Sequence, residues 1–248
     1  MQERASFTRS IERALDILEC FNERSTELRI VDICQMVGLS KSTTHRTMAT
    51  LENRGYLIQD QETGKYRLGV KTLSAGKAFL AGLDFRSLAL PHMRSIRDIT
   101  GESVNLFVTN GVNRVLIERI ESVEPLRRVL KIGDELPLER GAAGKVFLAF
   151  QPDLKPEAAL NPEVAKAIRE DLYAVSHGER ASDASSVASP IFDHKARLIA
   201  VLALSGPTLR FVEPALTTFL KAISEAAQTI SQSLGCSNSL LSTLRRAP

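Results

Sequence analysis

No stretch of this 248-residue chain stays apolar for the ~20 residues that a helix needs to cross a bilayer, so no membrane span is expected. The opening MQERASFTRS has no apolar run behind a basic start, so no secretory signal is expected either. Cysteine is scarce. Cys20, Cys34 and Cys236 are an odd, scattered set with no CxxC pair, which argues against a disulfide framework and for a reducing cytoplasm. Charge of one sign is also lacking. The formal net charge is +3, and the first 70 residues hold ten basic and ten acidic side chains, so bulk charge gives almost no support for nucleic-acid binding. His92, His177 and His194 are far apart and lack metal-ligand spacing, so no metal and no cofactor is expected. Ser205-Gly206-Pro207 has no GxSxG elbow around it. There is no internal repeat and no low-complexity tract. Without a nucleophile beside a base, paired carboxylates or a metal cluster, no enzyme is expected. An enzyme built on residues 102–236 remains one alternative, and a DNA-binding module that senses nothing is another.

What is present is an ordinary globular composition: 44% hydrophobic residues, enough for one large domain or two modest ones. A first helix is expected from Thr8 to Phe21, with Ile11, Ala14, Leu15, Leu18 and Phe21 on its apolar face and Ser6 or Thr8 capping it. A short second helix, Ile30 to Met36, turns Ile30, Ile33, Cys34 and Val37 inward and is broken by Gly38. Ser40 is a good N-cap for a third helix, Lys41 to Arg54, which Gly55 ends. Tyr56 to Ile58, the turn QETGK and Tyr66 to Leu68 then read as a hairpin.

Three helices followed by a hairpin is the order of a winged helix-turn-helix. The exposed start of the third helix is Ser40, Lys41, Ser42, Thr43, Thr44, His45 and Arg46. Small hydroxyl side chains let such a helix sit deep in the major groove, and its N-terminal amides favour phosphate. Lys65 and Arg67 on the hairpin can reach the adjacent backbone. Local charge leans the right way, with five basic against three acidic residues over 40–67.

Beyond the wing, helices are expected from Val70 to Leu83 and from Phe85 to Thr100, the second with Pro91 inside it. From residue 102 the period changes. SVNLFVTN, RVLIERIE and RRVLKIG read as strands, Gly141 to Phe150 and 156–171 as helices, and Tyr173 to Ser176, Val187 to Phe192 and Arg197 to Ser205 as strands. A last helix spans Glu213 to Leu234. This order predicts an α+β domain, an antiparallel sheet with helices packed on it. The domain boundaries expected are 1–70, a linker helix 71–84, and 85–248.

GAAGK, after IGDELPLER, begins a helix with small residues at Gly141, Ala142 and Ala143, which leaves its first amides open to an anion. A phosphate-binding P-loop fails here, because Glu139 and Val146 stand where Gly and Ser or Thr would be needed. Simple tight packing is the other reading of the cluster.

The chain resembles the isocitrate lyase regulator (IclR) family of bacterial transcription factors, from about Phe7 to Leu234. SIERALDIL is similar to the family's opening helix, LSKSTTHRTMATLENRGYL to its recognition helix and YRLG to its wing exit. GESVNLFVTNG, IGDELPLERGAAGKVFLA, VASPIFD and ALSGP resemble landmarks of its second domain. The resemblance implies a GAF-like effector-binding domain, dimers or tetramers, a pseudo-palindromic double-stranded DNA operator and a small-molecule effector, often an organic acid. It carries pocket-lining roles to Leu136, Ala142, Ala143, Ser186, Ala203 and Ser205, with Asn105 and Glu179 near the same region. The family often has Thr or Ser near Gly141, a polar residue near Ala203 and Gly at Asp183. These departures point away from a simple small acid and toward a larger or more apolar effector. Together the residues and the resemblance predict a ligand-responsive, sequence-specific DNA-binding regulator of a metabolic operon.

Overall fold

The computed structural model describes residues 8–22, 24–126 and 130–240. The chain divides into two compact units, Met1–Gly82 and Leu83–Pro248.

The first unit holds α1 (Arg9–Glu19), α2 (Ile30–Val37), α3 (Lys41–Asn53), the hairpin β1 (Leu57–Gln59) and β2 (Tyr66–Leu68), and α4 (Val70–Ala81). Gly38, in the left-handed region at φ +64, ends α2 and turns the chain into α3. Ser40 then caps α3 by accepting the Thr43 amide. The core gathers Ile17, Cys20 and Phe21 from the α1 end, Ile33 from α2, Met48 and Leu51 from α3, and Leu57 and Tyr66 from the hairpin. The expected apolar face of α1 is shifted. Ile17 is fully buried, while Ile11 and Leu15 are more than half exposed and line an open groove with Thr47 and Thr50 of α3. The expected capping residue Ser6 lies outside the described residues, and Thr8 occupies the N-cap position without a side-chain bond.

The second unit is a six-stranded antiparallel sheet in the order β5-β4-β3-β8-β7-β6. Its strands are β3 (Ser103–Thr109), β4 (Asn113–Ile120), β5 (Glu135–Pro137), β6 (Ala174–His177), β7 (Ala184–Phe192) and β8 (Leu198–Pro207). Helix α5 (Asp84–Thr100) runs through Pro91 and buries Phe85, Ala89, Met93 and Ile96. Full burial of a side chain such as Met93 or Ile96 stabilises by about 1.5–3 kcal/mol. Helix α8 (Ala215–Ser233) packs on β7, β8 and α5. Helices α6 (Ala142–Phe150) and α7 (Pro162–Asp171) pack on each other, and α6 also packs on β6, β7 and β8.

Three expectations shift. In RRVLKIG, residues 127–129 lie outside the described residues, and Lys131 to Gly133 form a turn rather than a strand. The strand that follows β4 is Glu135–Pro137 instead, because the Leu116 carbonyl accepts Gly133 and swings the chain back along β4. Residues 152–158 form two single 3₁₀ turns, and α7 starts only at Pro162, where Asn161 caps it. Strand β7 starts at Ala184 and β8 runs on to Pro207, since these two residues pair at the shared end of the ladder. No helix among the described residues is long and apolar enough to cross a membrane.

Candidate functional site

In the first unit α3 presents one exposed face. Lys41 and His45, and Ser42 and Arg46, are pairs four residues apart, so their side chains stack along that face. All four are exposed, as is Ser40, whose hydroxyl lies 3.0 Å from that of half-buried Thr43 and 3.2 Å from that of Ser42. Thr44 differs from expectation. It is fully buried, and its hydroxyl donates to the Ser40 carbonyl at 3.1 Å. It lies in phase with Met48 and Leu51, so it belongs to the core side of α3 and leaves the set of surface contacts. On the hairpin Arg67 is exposed. Lys65 is half-buried, with Glu27 3.7 Å from its ammonium, so part of its charge is spent inside the unit.

In the second unit a small cavity opens between α6 and the sheet. It gathers Asn105 from β3, Leu136 from β5, Ala142 and Ala143 from α6, Ser186 from β7, and Ala203 and Ser205 from β8. Strand register explains the gathering. Asn105 pairs with Ala203, and Ser186 pairs with Ser205, so all four fall in adjacent rows on one face. Asn105 donates to the Ser205 hydroxyl at 2.9 Å and accepts from Arg119 at 3.1 Å, which fixes its amide and leaves the Ser205 proton free to donate.

Glu179 is not among the lining residues. It stands at the start of α6, where its carboxylate accepts the Gly141 amide at 3.0 Å and pairs with the Lys145 ammonium. Burial pushes this carboxyl up, but the Lys145 and Gly141 bonds outweigh burial and hold it below the usual range. The α6 amides are therefore only half open. Gly141 is taken by Glu179 and Ala142 by the Ser186 hydroxyl at 3.2 Å, while those of Ala143 and Gly144 have no acceptor among the described residues.

The sequence reading missed Arg114, Phe107 and Arg180 in the same wall. Arg114 was visible in principle. It sits two residues before Leu116 on one face of an alternating strand, and a charge on the buried face of a strand is the unusual event. Burial, with repulsion from Arg180, pulls its guanidinium down to about 10, so it stays charged at neutral pH.

Comparison with known proteins places both units. Residues 10–61 match the IclR helix-turn-helix domain, and residues 77–167 and 157–232 match the bacterial transcriptional regulator IclR C-terminal domain. The HTH-type transcriptional regulator XynR of Escherichia coli (strain K12) is 36% identical, over 91% of this chain and 97% of that protein. The HTH-type transcriptional regulator KdgR of the same organism is 31% identical, over 91% of this chain and 92% of that protein. Among solved structures, an IclR homolog from Microbacterium hydrocarbonoxydans complexed with 4-hydroxybenzoate superposes with a TM-score of 0.76 at 26% identity, covering 91% of this chain and 98% of that one. With both domains matched in order along nearly its whole length, the chain belongs to the IclR family of bacterial transcriptional regulators.

Proposed function

We propose that the exposed face of α3 reads an operator in the major groove, and that the cavity beside α6 holds the small molecule that controls operator binding. Lys41, Ser42, His45 and Arg46 are the base- and phosphate-facing side chains, with Ser40 and Thr43 at the helix start and Arg67 and Lys65 on the wing. One such helix reads only a few base pairs, so the working species is a homo-oligomer, a dimer or tetramer, on a pseudo-palindromic site. The protein works by binding rather than turnover. The effector shifts a population of oligomer arrangements, which requires that it bind one arrangement better than another.

The observation that carries the effector assignment is the convergence of Asn105, Leu136, Ala142, Ala143, Ser186, Ala203 and Ser205 on one cavity. The relative solved with 4-hydroxybenzoate, an aromatic carboxylate, supports an organic acid as ligand. Replacing Ala143 by leucine tests the assignment. The side chain is 4% exposed and lines the cavity, so the three added heavy atoms of leucine fill ligand space. A metabolite screen by thermal shift identifies a binder. A143L should then lose that shift and the effector response in an operator gel-shift, while keeping ligand-free operator affinity. Normal effector binding by A143L would put the pocket elsewhere. A strictly monomeric protein by light scattering that still binds its operator tightly would refute the symmetric reading.

A further inference from the structure

Arg114 is buried, with 4% of its surface exposed, yet it forms no ion pair among the described residues. Its guanidinium donates to the Pro137 carbonyl and lies over the Phe107 ring, 5.6 Å from the centroid, and its Nε has no hydrogen-bond partner among the described residues. The acidic groups that act on it, Glu139 and Glu179, do so only from a distance, and each is held by a lysine of its own, Lys155 and Lys145. Arg180 adds positive charge to the same wall. The carbonyl and the ring offset only part of the cost of burying this cation, and an arriving anion would relieve more of it.

The guanidinium also lies against the start of α6. A Cβ at Gly144 would stand 2.7 Å from one of its terminal nitrogens, and a Cβ at Gly141 would stand 3.3 Å from the other. Ala143, whose amide has no acceptor among the described residues, lines the same cavity as this guanidinium. The hydroxyl side chain that the resemblance leads one to expect near residue 141 would crowd this group. Glycine at 141 and arginine at 114 form a single arrangement in which a charge takes the place of a hydroxyl.

We infer that Arg114 is the specificity-determining residue of the cavity and that its missing counter-ion is a carboxylate of the ligand, seated between the guanidinium and the Ala143 amide. This rests on the reading of the cavity as the effector site. The rest of the ligand lies against Phe107, Leu130 and Leu136, so it is a carboxylic acid with an apolar body. The absent hydroxyls at Gly141 and Ala203 do not argue against a small acid once Arg114 supplies the charge.

The test uses the full-length protein with acetate, pyruvate and benzoate as probes, and acetamide and benzamide as neutral counterparts, in calorimetry and thermal shift. At least one carboxylate should bind, about tenfold or more tightly than its amide, as expected for a charge-assisted contact. R114M should bind that carboxylate about tenfold or more weakly and lose the preference over the amide. R114K, which keeps the charge without the fork, should retain the preference at reduced affinity. A wild-type protein that binds no carboxylate, or binds amides as tightly, overturns the proposal, and so does unchanged carboxylate binding by R114M. If A143L abolishes binding while R114M does not, the cavity stands as the site and Arg114 falls. If both variants bind normally, the cavity itself is wrong. Retained operator binding shows that a variant is folded; should R114M fail that check, R114Q and the wild-type preference decide.

Discussion

Replacing Gly144 with alanine should destabilise the protein, although alanine is the better helix former. An alanine Cβ at 144 would stand 2.0 Å from the Leu138 carbonyl oxygen and 2.7 Å from the Arg114 guanidinium. Ordinary contact needs at least about 3 Å, so the carbonyl or the start of α6 must retreat by roughly 1 Å in a region packed at crystal-like density. Such overpacking costs about 1–3 kcal/mol. Displacing Arg114 from the Pro137 carbonyl adds about 0.5–1.5 kcal/mol, and the gain in helix propensity offsets about 1 kcal/mol. The net loss is then about 1–3 kcal/mol, or roughly 3–10 °C in Tm for a domain of this size. Gly76 in α4 is the control. A Cβ there meets nothing within 4 Å, so G76A should hold or raise stability by up to about 1 kcal/mol. Both are read from thermal unfolding of the full chain by circular dichroism. If G144A melts at or above the wild-type temperature, the close approach of α6 to Leu138 is not what fixes that helix.

Three further outcomes follow from the same geometry. T44V should cost about 0.5–1.5 kcal/mol of stability through its buried hydroxyl while leaving operator affinity at fixed salt within about twofold; a large selective loss of DNA binding would return Thr44 to the interface. R46A should do the reverse, keeping Tm and weakening specific operator binding by about 1–3 kcal/mol in a salt-controlled gel shift. Burial raises the Asp193 carboxyl, but Arg197 and the Arg197 and Lys195 amides outweigh it and hold it at about 2, against 3.8 for a free side chain. Its stabilisation is present above 3.8 and is lost as pH falls through about 2, so wild-type Tm should drop more steeply than that of D193N between pH 4 and 2. Parallel curves would remove Asp193 from the account.

Much of the first unit was legible because its punctuation is local. Gly38, Ser40 and Gly55 mark helix ends by their own backbone and capping chemistry, with no help from distant residues. Helix phase was harder. Thr44 reads as a small polar surface residue until Met48 and Leu51 fix which way α3 is turned. In α1, Ile11 and Leu15 share the helical period with Ala14 and Leu18 but fall at the edge of the buried arc. The second unit hid what depends on pairing. Strand β5 is three residues long and exists because β4 offers it a ladder. The cavity positions carried over by resemblance do converge, but Arg114 was passed over because a strand arginine is ordinarily taken to face water. Its place two residues before Leu116 was the clue, and the sheet register makes the inward direction plain.

Strand β8 lies between β3 and β7, near the middle of the sheet, and its residues alternate between two duties. Val201, Ala203 and Ser205 look toward the cavity and its helix, while Leu202 and Leu204 look toward the layer of α5 and α8. Chemical taste and mechanical support are thus written in alternate letters of one short segment. On the proposed reading of the cavity as the effector site, a bulkier or more polar residue at 203 or 205 would change which molecule is welcome and leave the opposite face untouched. Lineages that share this architecture can therefore diverge in what they sense by editing every second residue, without first having to solve the folding problem again.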